Sequence, residues 1–191
     1  MKITSTKLIA RVTTGDDLPE DAFKHIAFIG RSNVGKSSVI NLLAQKKDLA
    51  KSSATPGFTK SINFYLINNK FYFVDLPGYG YAQGSFQEKR RLQELIEWYL
   101  TYPDIDDRQL IVLIIDAKVG ATDYDLQALE LLHKLNKNVI VLANKIDKLK
   151  KNDVKKQLQK VSEAAFQFKV IPFSAKDKVG VPELTRVIFE L

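Results

Sequence analysis

The chain has 191 residues, 45% of them hydrophobic and 27% charged, with a formal net charge of +7 and no cysteine. That length suits one domain with a full core, and the missing cysteine excludes disulfides and thiolate metal sites. No apolar run approaches the roughly 18 residues of a membrane span, and the N-terminus lacks the apolar core of a signal peptide. The expected setting is therefore the cytoplasm, and the positive charge suits either an anionic partner such as RNA or plain lysine-rich solubility.

Residues 1–22 carry no motif and read as a short N-terminal arm, in which Ile3, Leu8, Ile9 and Val12 are compatible with a strand. Ile26 to Ile29 form a short buried strand, followed by Gly30-Arg31-Ser32-Asn33-Val34-Gly35-Lys36-Ser37 and then by a helical stretch from Ser38 to Ala44. This octet fits Gly-x-x-x-x-Gly-Lys-Ser, the phosphate-binding loop. Its glycines let backbone N–H groups close round a polyphosphate, and the helix N-terminus adds partial positive charge. Lys36 is placed to reach the β- and γ-phosphates, and the Ser37 hydroxyl to ligate Mg²⁺.

Gln45 to Lys60 is a polar stretch containing Thr55-Pro56-Gly57-Phe58-Thr59 and reads as a loop. Ser61–Ile67 and Lys70–Asp75 are two strands, and Asn68-Asn69 suits a two-residue hairpin because Asn tolerates positive φ. Asp75-Leu76-Pro77-Gly78 follows, then the glycine-rich segment Tyr79 to Gly84. Ser85-x-x-Glu88 is a capping box opening a helix whose apolar face is Leu92, Leu95, Ile96, Tyr99 and Leu100, and which Pro103 ends. Trp98 belongs to this packed region.

Leu110–Ile115, closing on Asp116, and Val139–Ala143 are continuous apolar runs, the signature of strands buried on both faces in a parallel sheet. Between them, Thr122 to Leu135 reads as a capped helix. Lys169–Phe173 is a further strand, and Pro182 opens a last helix. This alternation of strands and helices implies a doubly wound α/β domain, with no repeat and no second domain.

Four sites fall at the C-terminal ends of strands, the edge where open α/β sheets bind ligands. Asp75 can hold Mg²⁺ through water, and the Gly78 N–H can meet a γ-phosphate. Thr59 can offer a hydroxyl to Mg²⁺ and an N–H to the same phosphate, contacts that exist only while that phosphate is attached; Thr55 competes for this role. Asn144-Lys145-Ile146-Asp147 supplies a carboxylate that can accept N1–H and the N2 amine of guanine, a donor pair adenine lacks. Asn144 can brace the neighbouring loop and contact the base, and the Lys145 stem can cover the base face. Phe173-Ser174-Ala175 follows, where the Ala175 N–H can meet guanine O6.

These stretches resemble the translation-factor-related (TrmE-Era-EngA-EngB-Septin-like) P-loop GTPases and, more narrowly, the EngB family of bacterial ribosome-assembly GTPases. The resemblance covers about residues 20–191. It rests on Gly30 to Ser38, on Thr55 to Thr59 followed by Ile62-Asn63-Phe64, and on Phe73-Val-Asp-Leu-Pro-Gly-Tyr-Gly-Tyr-Ala82. It implies a three-layer fold: a six-stranded, mostly parallel sheet with one antiparallel strand and helices on both faces. It also implies GTP and Mg²⁺ binding, with Ser37, Thr59 and Asp75 linked to the metal and Thr59 preferred over Thr55. Slow hydrolysis to GDP, a role in maturing the large ribosomal subunit, and a link to cell division and septation are implied as well. The nucleotide set expected is Gly30, Arg31, Ser32, Asn33, Val34, Gly35, Lys36, Ser37, Ser38, Gly57, Phe58, Thr59, Asp75, Leu76, Pro77, Gly78, Asn144, Lys145, Asp147, Phe173, Ser174 and Ala175. Lys36, Thr59, Gly78 and Asn33 are the candidates for catalysis. Asn at 144 and Ser-Ala at 174–175 depart from the Thr and Ser-Ser that members of the family often carry.

Many GTPases place a Gln after Asp-x-x-Gly to orient water; Tyr79 stands here, so low turnover is expected. Asn33 either holds a potassium ion near the β,γ-bridge, as in similar GTPases, or only braces the loop. His25 and His133 read as structural. Lys148, Lys150, Lys151, Lys155, Lys156 and Lys160 surround one helix with an inward stripe of Val154, Leu158, Val161 and Ala165. They offer a surface for RNA phosphates or simply a solvated face. The expected partners are GTP, GDP and the large ribosomal subunit through its rRNA and proteins. DNA, a membrane and a second copy of the chain are not expected. The alternatives are a GTP-gated binding module with incidental hydrolysis and a signalling GTPase with a protein partner.

Overall fold

A computed structural model describes residues 3–13, 16, 18–19, 21–50, 61–80 and 85–190. The elements in chain order are β1 (Thr6–Val12), β2 (Lys24–Gly30), α1 (Lys36–Leu43), β3 (Ile62–Ile67), β4 (Phe71–Asp75), α2 (Phe86–Leu100), β5 (Gln109–Asp116), α3 (Asp123–Lys134), β6 (Val139–Asn144), α4 (Lys151–Ala164), β7 (Lys169–Pro172) and α5 (Val181–Glu190). One sheet takes the strands in the order β1-β3-β4-β2-β5-β6-β7. β2 pairs parallel with β4 and β5, and β6 pairs parallel with β5 and β7. β3 runs antiparallel to both β1 and β4 and is the one reversed strand.

Among the described residues the sheet has seven strands rather than the six expected, because part of the N-terminal arm adds β1 at the edge. Its pattern is weak for a physical reason. It has a neighbour on one side only, and its register shifts between Leu8 and Ala10, which interrupts the two-residue period. Leu8 and Ile9 stay exposed while Val12 is buried. The β3–β4 turn fastens the start of this strand: Asn68 Oδ1 accepts the N–H groups of Thr4 (2.7 Å) and Ser5 (3.0 Å). Asn68 and Asn69 both have φ of 51°, as a tight hairpin requires. The connection is three residues rather than two, since β4 begins at Phe71 opposite Ile67 and Lys70 joins the turn.

Every residue of β5 is buried. Alternate side chains face two separate helical layers, which explains the unbroken apolar run. Ile111, Leu113 and Ile115 pack with Leu95 and Tyr99 of α2, Leu129 and Leu132 of α3, and Val161 of α4. Leu110, Val112 and Ile114 pack on the other face with Val39 and Ile40 of α1 and Leu184 and Ile188 of α5. The capping box opens α2, with the Glu88 N–H donating to Ser85 Oγ at 3.2 Å and the Ser85 N–H to Glu88 Oε2 at 3.0 Å. α2 stops at Leu100, and Pro103 starts a short 3-10 turn, Pro103–Arg108. Among the described residues no helix is long and apolar enough to cross a membrane.

His25 lies at the opposite end of β2 from the phosphate loop, enclosed by Phe64, Tyr72 and Tyr99 with Nδ1 3.2 Å from the Tyr99 hydroxyl. Burial first, and then the Arg108 charge, lower its pKa to about 4, against an opposing pull from Asp21. The folded protein therefore holds His25 neutral where an unfolded chain starts to protonate near pH 6.5. Its contribution is fully present above that value and declines as pH falls towards 4. Between pH 7.5 and pH 5 this one group is expected to remove about 2 kcal/mol of stability. In urea unfolding at several pH values, His25→Phe should show a flatter decline than the unaltered protein; equal declines would clear His25 of the effect.

Candidate nucleotide site

Loop 31–35 leaves the centre of the sheet between β2 and α1. Its first residue is preceded by a glycine with no room to change: a Cβ added at Gly30 would lie 2.6 Å from the Ile114 carbonyl oxygen. At the other end Gly35 has a φ of 99°, and a Cβ there would lie 2.5 Å from Asn144 Nδ2. Gly35 caps α1 without any side-chain bond, and no acidic residue occupies the first turn. The positive end of α1 thus faces the loop with no acidic residue in its own first turn. Asn33 is exposed at the turn with φ of 67°, and Ser38 is exposed on α1, while Val34 is buried in the core.

Asp75 closes β4, in register with Phe28 of β2, and its carboxylate is ion-paired with Lys36 Nζ in a nearly buried contact. Leu76 and Pro77 turn inwards and are buried, so that any part they take in the site is through backbone. Gly78 lies against the phosphate loop: a Cβ there would be 3.3 Å from the Ser32 nitrogen and 3.4 Å from the Gly30 oxygen. Thr59, its competitor Thr55, Gly57 and Phe58 lie outside the described residues. The Ser37 hydroxyl in the first turn of α1 and the Asp75 carboxylate are hard oxygen donors, which fits Mg²⁺. Among the described residues no group of three acidic or histidine side chains forms a metal cage. Phosphate and water would complete the shell, and a bound Mg²⁺ would neutralise charge on the β- and γ-oxygens.

The second half of the site comes from the ends of β6 and β7. Asn144 is 1% exposed; its Nδ2 donates to the Val34 carbonyl at 2.8 Å and its Oδ1 accepts the Ala175 N–H at 3.2 Å. Lys145, in the left-handed region with φ of 66°, sends Nζ to the Asn33 carbonyl at 2.5 Å and to Asp116 Oδ2 at 2.8 Å. Asp147 is oriented by the Ser174 hydroxyl, which donates to Oδ1 at 2.7 Å and accepts the Asp177 N–H at 3.0 Å. Phe173 is fully buried in the core; its carbonyl accepts the Ile146 N–H at 3.2 Å, so it shapes the loop without presenting its ring. The Ala175 N–H, expected to meet a base oxygen, is engaged with Asn144.

Two carboxylates that the sequence does not single out help build the site. Asp116 ends β5 and holds Lys145. Asp125, in α3, accepts Arg31 Nε at 3.0 Å and the Tyr79 hydroxyl at 2.8 Å. Thr122-x-x-Asp125 is a capping pattern visible in the chain, but nothing in it indicates the distant partners.

Comparison with known proteins finds GTP-binding relatives. The family model described as 50S ribosome-binding GTPase matches residues 25–145, and that of the elongation factor Tu GTP-binding domain matches residues 105–191. The chain is 41% identical to a probable GTP-binding protein EngB of Kosmotoga olearia, covering 98% of this chain and 99% of that protein. It is 40% identical to the EngB protein of Clostridium perfringens strain SM101, covering 100% and 97% respectively. A crystal structure of a probable GTP-binding protein EngB superposes with a TM-score of 0.72 at 28% identity, covering 87% of this chain and 97% of that one. A crystal structure of Era in complex with MgGDPNP and a 16S ribosomal RNA segment shares the fold, with a TM-score of 0.68 at 24% identity over 88% of this chain and 56% of that one.

If the Asp147 carboxylate pairs with the base, Asp147→Asn should shift preference from guanine to xanthine nucleotides. Competition between GDP and XDP reads this directly, and a retained guanine preference would refute the contact.

Proposed function

This chain belongs to the EngB family of P-loop GTPases, and on that premise we propose that it is a cytoplasmic switch in the assembly of the large ribosomal subunit. It hydrolyses GTP, in keeping with the family. In this reading turnover is slow, the chain works as a single monomeric GTP-binding domain, and its loss disturbs cell division and septation. Lys36 meets the β- and γ-phosphates, and Gly78 and Thr59 the γ-phosphate. Ser37, Thr59 and Asp75 (through water) hold Mg²⁺; Asp147 takes the guanine edge with the Lys145 stem over its face, and Asn144 braces the loops around them.

The observation that carries the ribosomal part is the lysine face that begins at the base loop. Lys148, Lys150, Lys151, Lys155, Lys156 and Lys160 are all exposed, and among the described residues none of them is ion-paired. Val161 and Ala165 of the inward stripe are buried, and Val154 and Leu158 are half-buried. Such a face binds phosphates through counterion release and weakens steeply with salt. Gradient sedimentation with ribosomal subunits, comparing GDP with a non-hydrolysable GTP analogue, tests the proposal: nucleotide-dependent migration with the large subunit is expected. One observation favours a GTP-gated binding module instead: Tyr79 stands where a water-orienting glutamine is common, and its hydroxyl is taken by Asp125. Multiple-turnover rates that large subunits leave unchanged would favour that module.

Charge reversal at Lys151, Lys155 and Lys156 is expected to abolish migration with the large subunit at moderate salt while GTP affinity stays within about twofold. Unchanged migration would remove this face from the interface. A potassium ion beside the exposed Asn33 would supply charge near the β,γ-bridge. Turnover in potassium buffer should then exceed that in sodium buffer, and Asn33→Ala should erase the difference; equal rates in the unaltered protein would sink the idea.

A further inference from the structure

Asp125 has more partners than a helix cap needs. It is fully buried, and its two oxygens receive four donors. Oδ2 accepts the Thr122 N–H at 2.9 Å and the Thr122 hydroxyl at 2.7 Å, which opens α3. The remaining two donors come from other loops. Arg31 Nε, on the first residue of the phosphate loop, lies 3.0 Å from Oδ2, and the Tyr79 hydroxyl, on the residue after Gly78, lies 2.8 Å from Oδ1. The backbones of these two residues also meet. Arg31 and Tyr79 form an isolated parallel bridge, and the Ser32 N–H donates to the Tyr79 carbonyl at 3.3 Å. Gly80 then rests on the Tyr124 ring beside Asp125, where an added Cβ would lie 3.1 Å from the ring.

A cap needs only Thr122. A buried carboxylate that also takes a guanidinium and a phenol is stable only while every partner stays, because an unpaired buried charge is costly. Burial and the Asp125 charge raise the Tyr79 pKa well above its ordinary value, so the phenol remains a donor throughout the physiological range. The result is a bond from a rigid helix to both sides of one seam: the phosphate loop on one side, and the segment carrying Gly78 on the other.

We propose that Asp125 is a positioning residue for the GTPase reaction, clamping the Gly78 segment onto the phosphate loop through Arg31 and the Tyr79 hydroxyl and thereby favouring triphosphate over diphosphate nucleotides. The proposal rests on the reading that the Gly78 N–H meets the γ-phosphate. A diphosphate has no group at that point. Its contacts with the phosphate loop and α1 do not involve Gly78, whereas a triphosphate uses a Gly78 N–H held in place beforehand. Loosening the clamp should therefore fall on the triphosphate.

The test uses the full chain with Mg²⁺ and fluorescent GDP and non-hydrolysable GTP analogues. Tyr79→Phe removes a single hydroxyl, and Asp125→Asn keeps an oxygen for the Thr122 cap. Each is expected to weaken the triphosphate analogue about three- to tenfold, the effect of losing one charge-assisted hydrogen bond, with GDP affinity within about twofold. The double variant should lose no more than the larger single loss, since both substitutions break the same link. Equal weakening of both nucleotides, no change in either, a shift towards the triphosphate, or losses that multiply in the double variant would overturn the proposal. Tyr79→Phe leaves α3 untouched and decides the matter by itself if Asp125→Asn does not fold. Gly78→Pro, which removes the N–H itself, separates the two levels when measured in parallel. If it spares the analogue, the γ-phosphate reading and the proposal fall together; if it weakens the analogue while Tyr79→Phe does not, the clamp alone falls.

Discussion

Asn144 sits at the end of β6 with almost no exposed surface, and its carboxamide donates to the Val34 carbonyl while accepting the Ala175 N–H. Val34 belongs to the phosphate loop and Ala175 to the loop after β7, so one side chain sets the spacing of three loops. Both ends of the amide must be paired because neither reaches water. The same contact dictates the neighbouring residue. Gly35 passes close enough to Asn144 Nδ2 that a side chain has no space, and its positive φ excludes most alternatives. The sheet order makes this possible, since β2 and β6 flank β5 and bring Gly30 and Asn144 to the same edge.

Charge is distributed at that edge on a consistent plan. Lys36 is paired with Asp75, Lys145 with Asp116 and Arg31 with Asp125, and each pair joins segments far apart in the chain. In a poorly solvated site an unpaired ammonium or guanidinium would be strongly unfavourable. Each of these cations is held by a carboxylate. Arg31 differs, because its carboxylate is buried in a helix terminus and also binds Tyr79; it serves as a fixed strut.

What could be read from the chain follows the same division between short-range and long-range causes. The strands β2, β5 and β6 were legible because burial on both faces leaves continuous β-branched runs, and the Ser85–Glu88 box because both of its partners lie in one turn. The phosphate loop, Asp75 to Gly78 and Asn144 to Asp147 were legible because their chemistry lies in a local pattern at a strand end, and the fold brings these motifs to one edge. β1 was only half legible, since an edge strand with a shifted register loses its alternation. Asp116 and Asp125 could not be read at all, because the residues that give them a role lie 29 and 94 positions away. Phe173 and Leu76 stand beside the candidate site in sequence, but their side chains serve the core, a distinction that depends on which way each strand end turns.

The residue after Gly78 draws these points together. A glutamine there would present an amide towards the phosphate, but the Tyr79 side chain turns away from it and spends its hydroxyl on Asp125. It has no free donor for an attacking water, and its deprotonated form is strongly disfavoured by burial and by the adjacent carboxylate. That leaves the phosphate-loop side of the seam, where Asn33 is an exposed polar side chain at the turn. The other rim of the site points the same way. The loop runs from Asp147 through Lys148 and Lys150 directly into α4, so the edge that carries Asp147 and the lysine face share one short segment of backbone. An anionic surface docked on α4 would therefore act on the same backbone that carries Asp147.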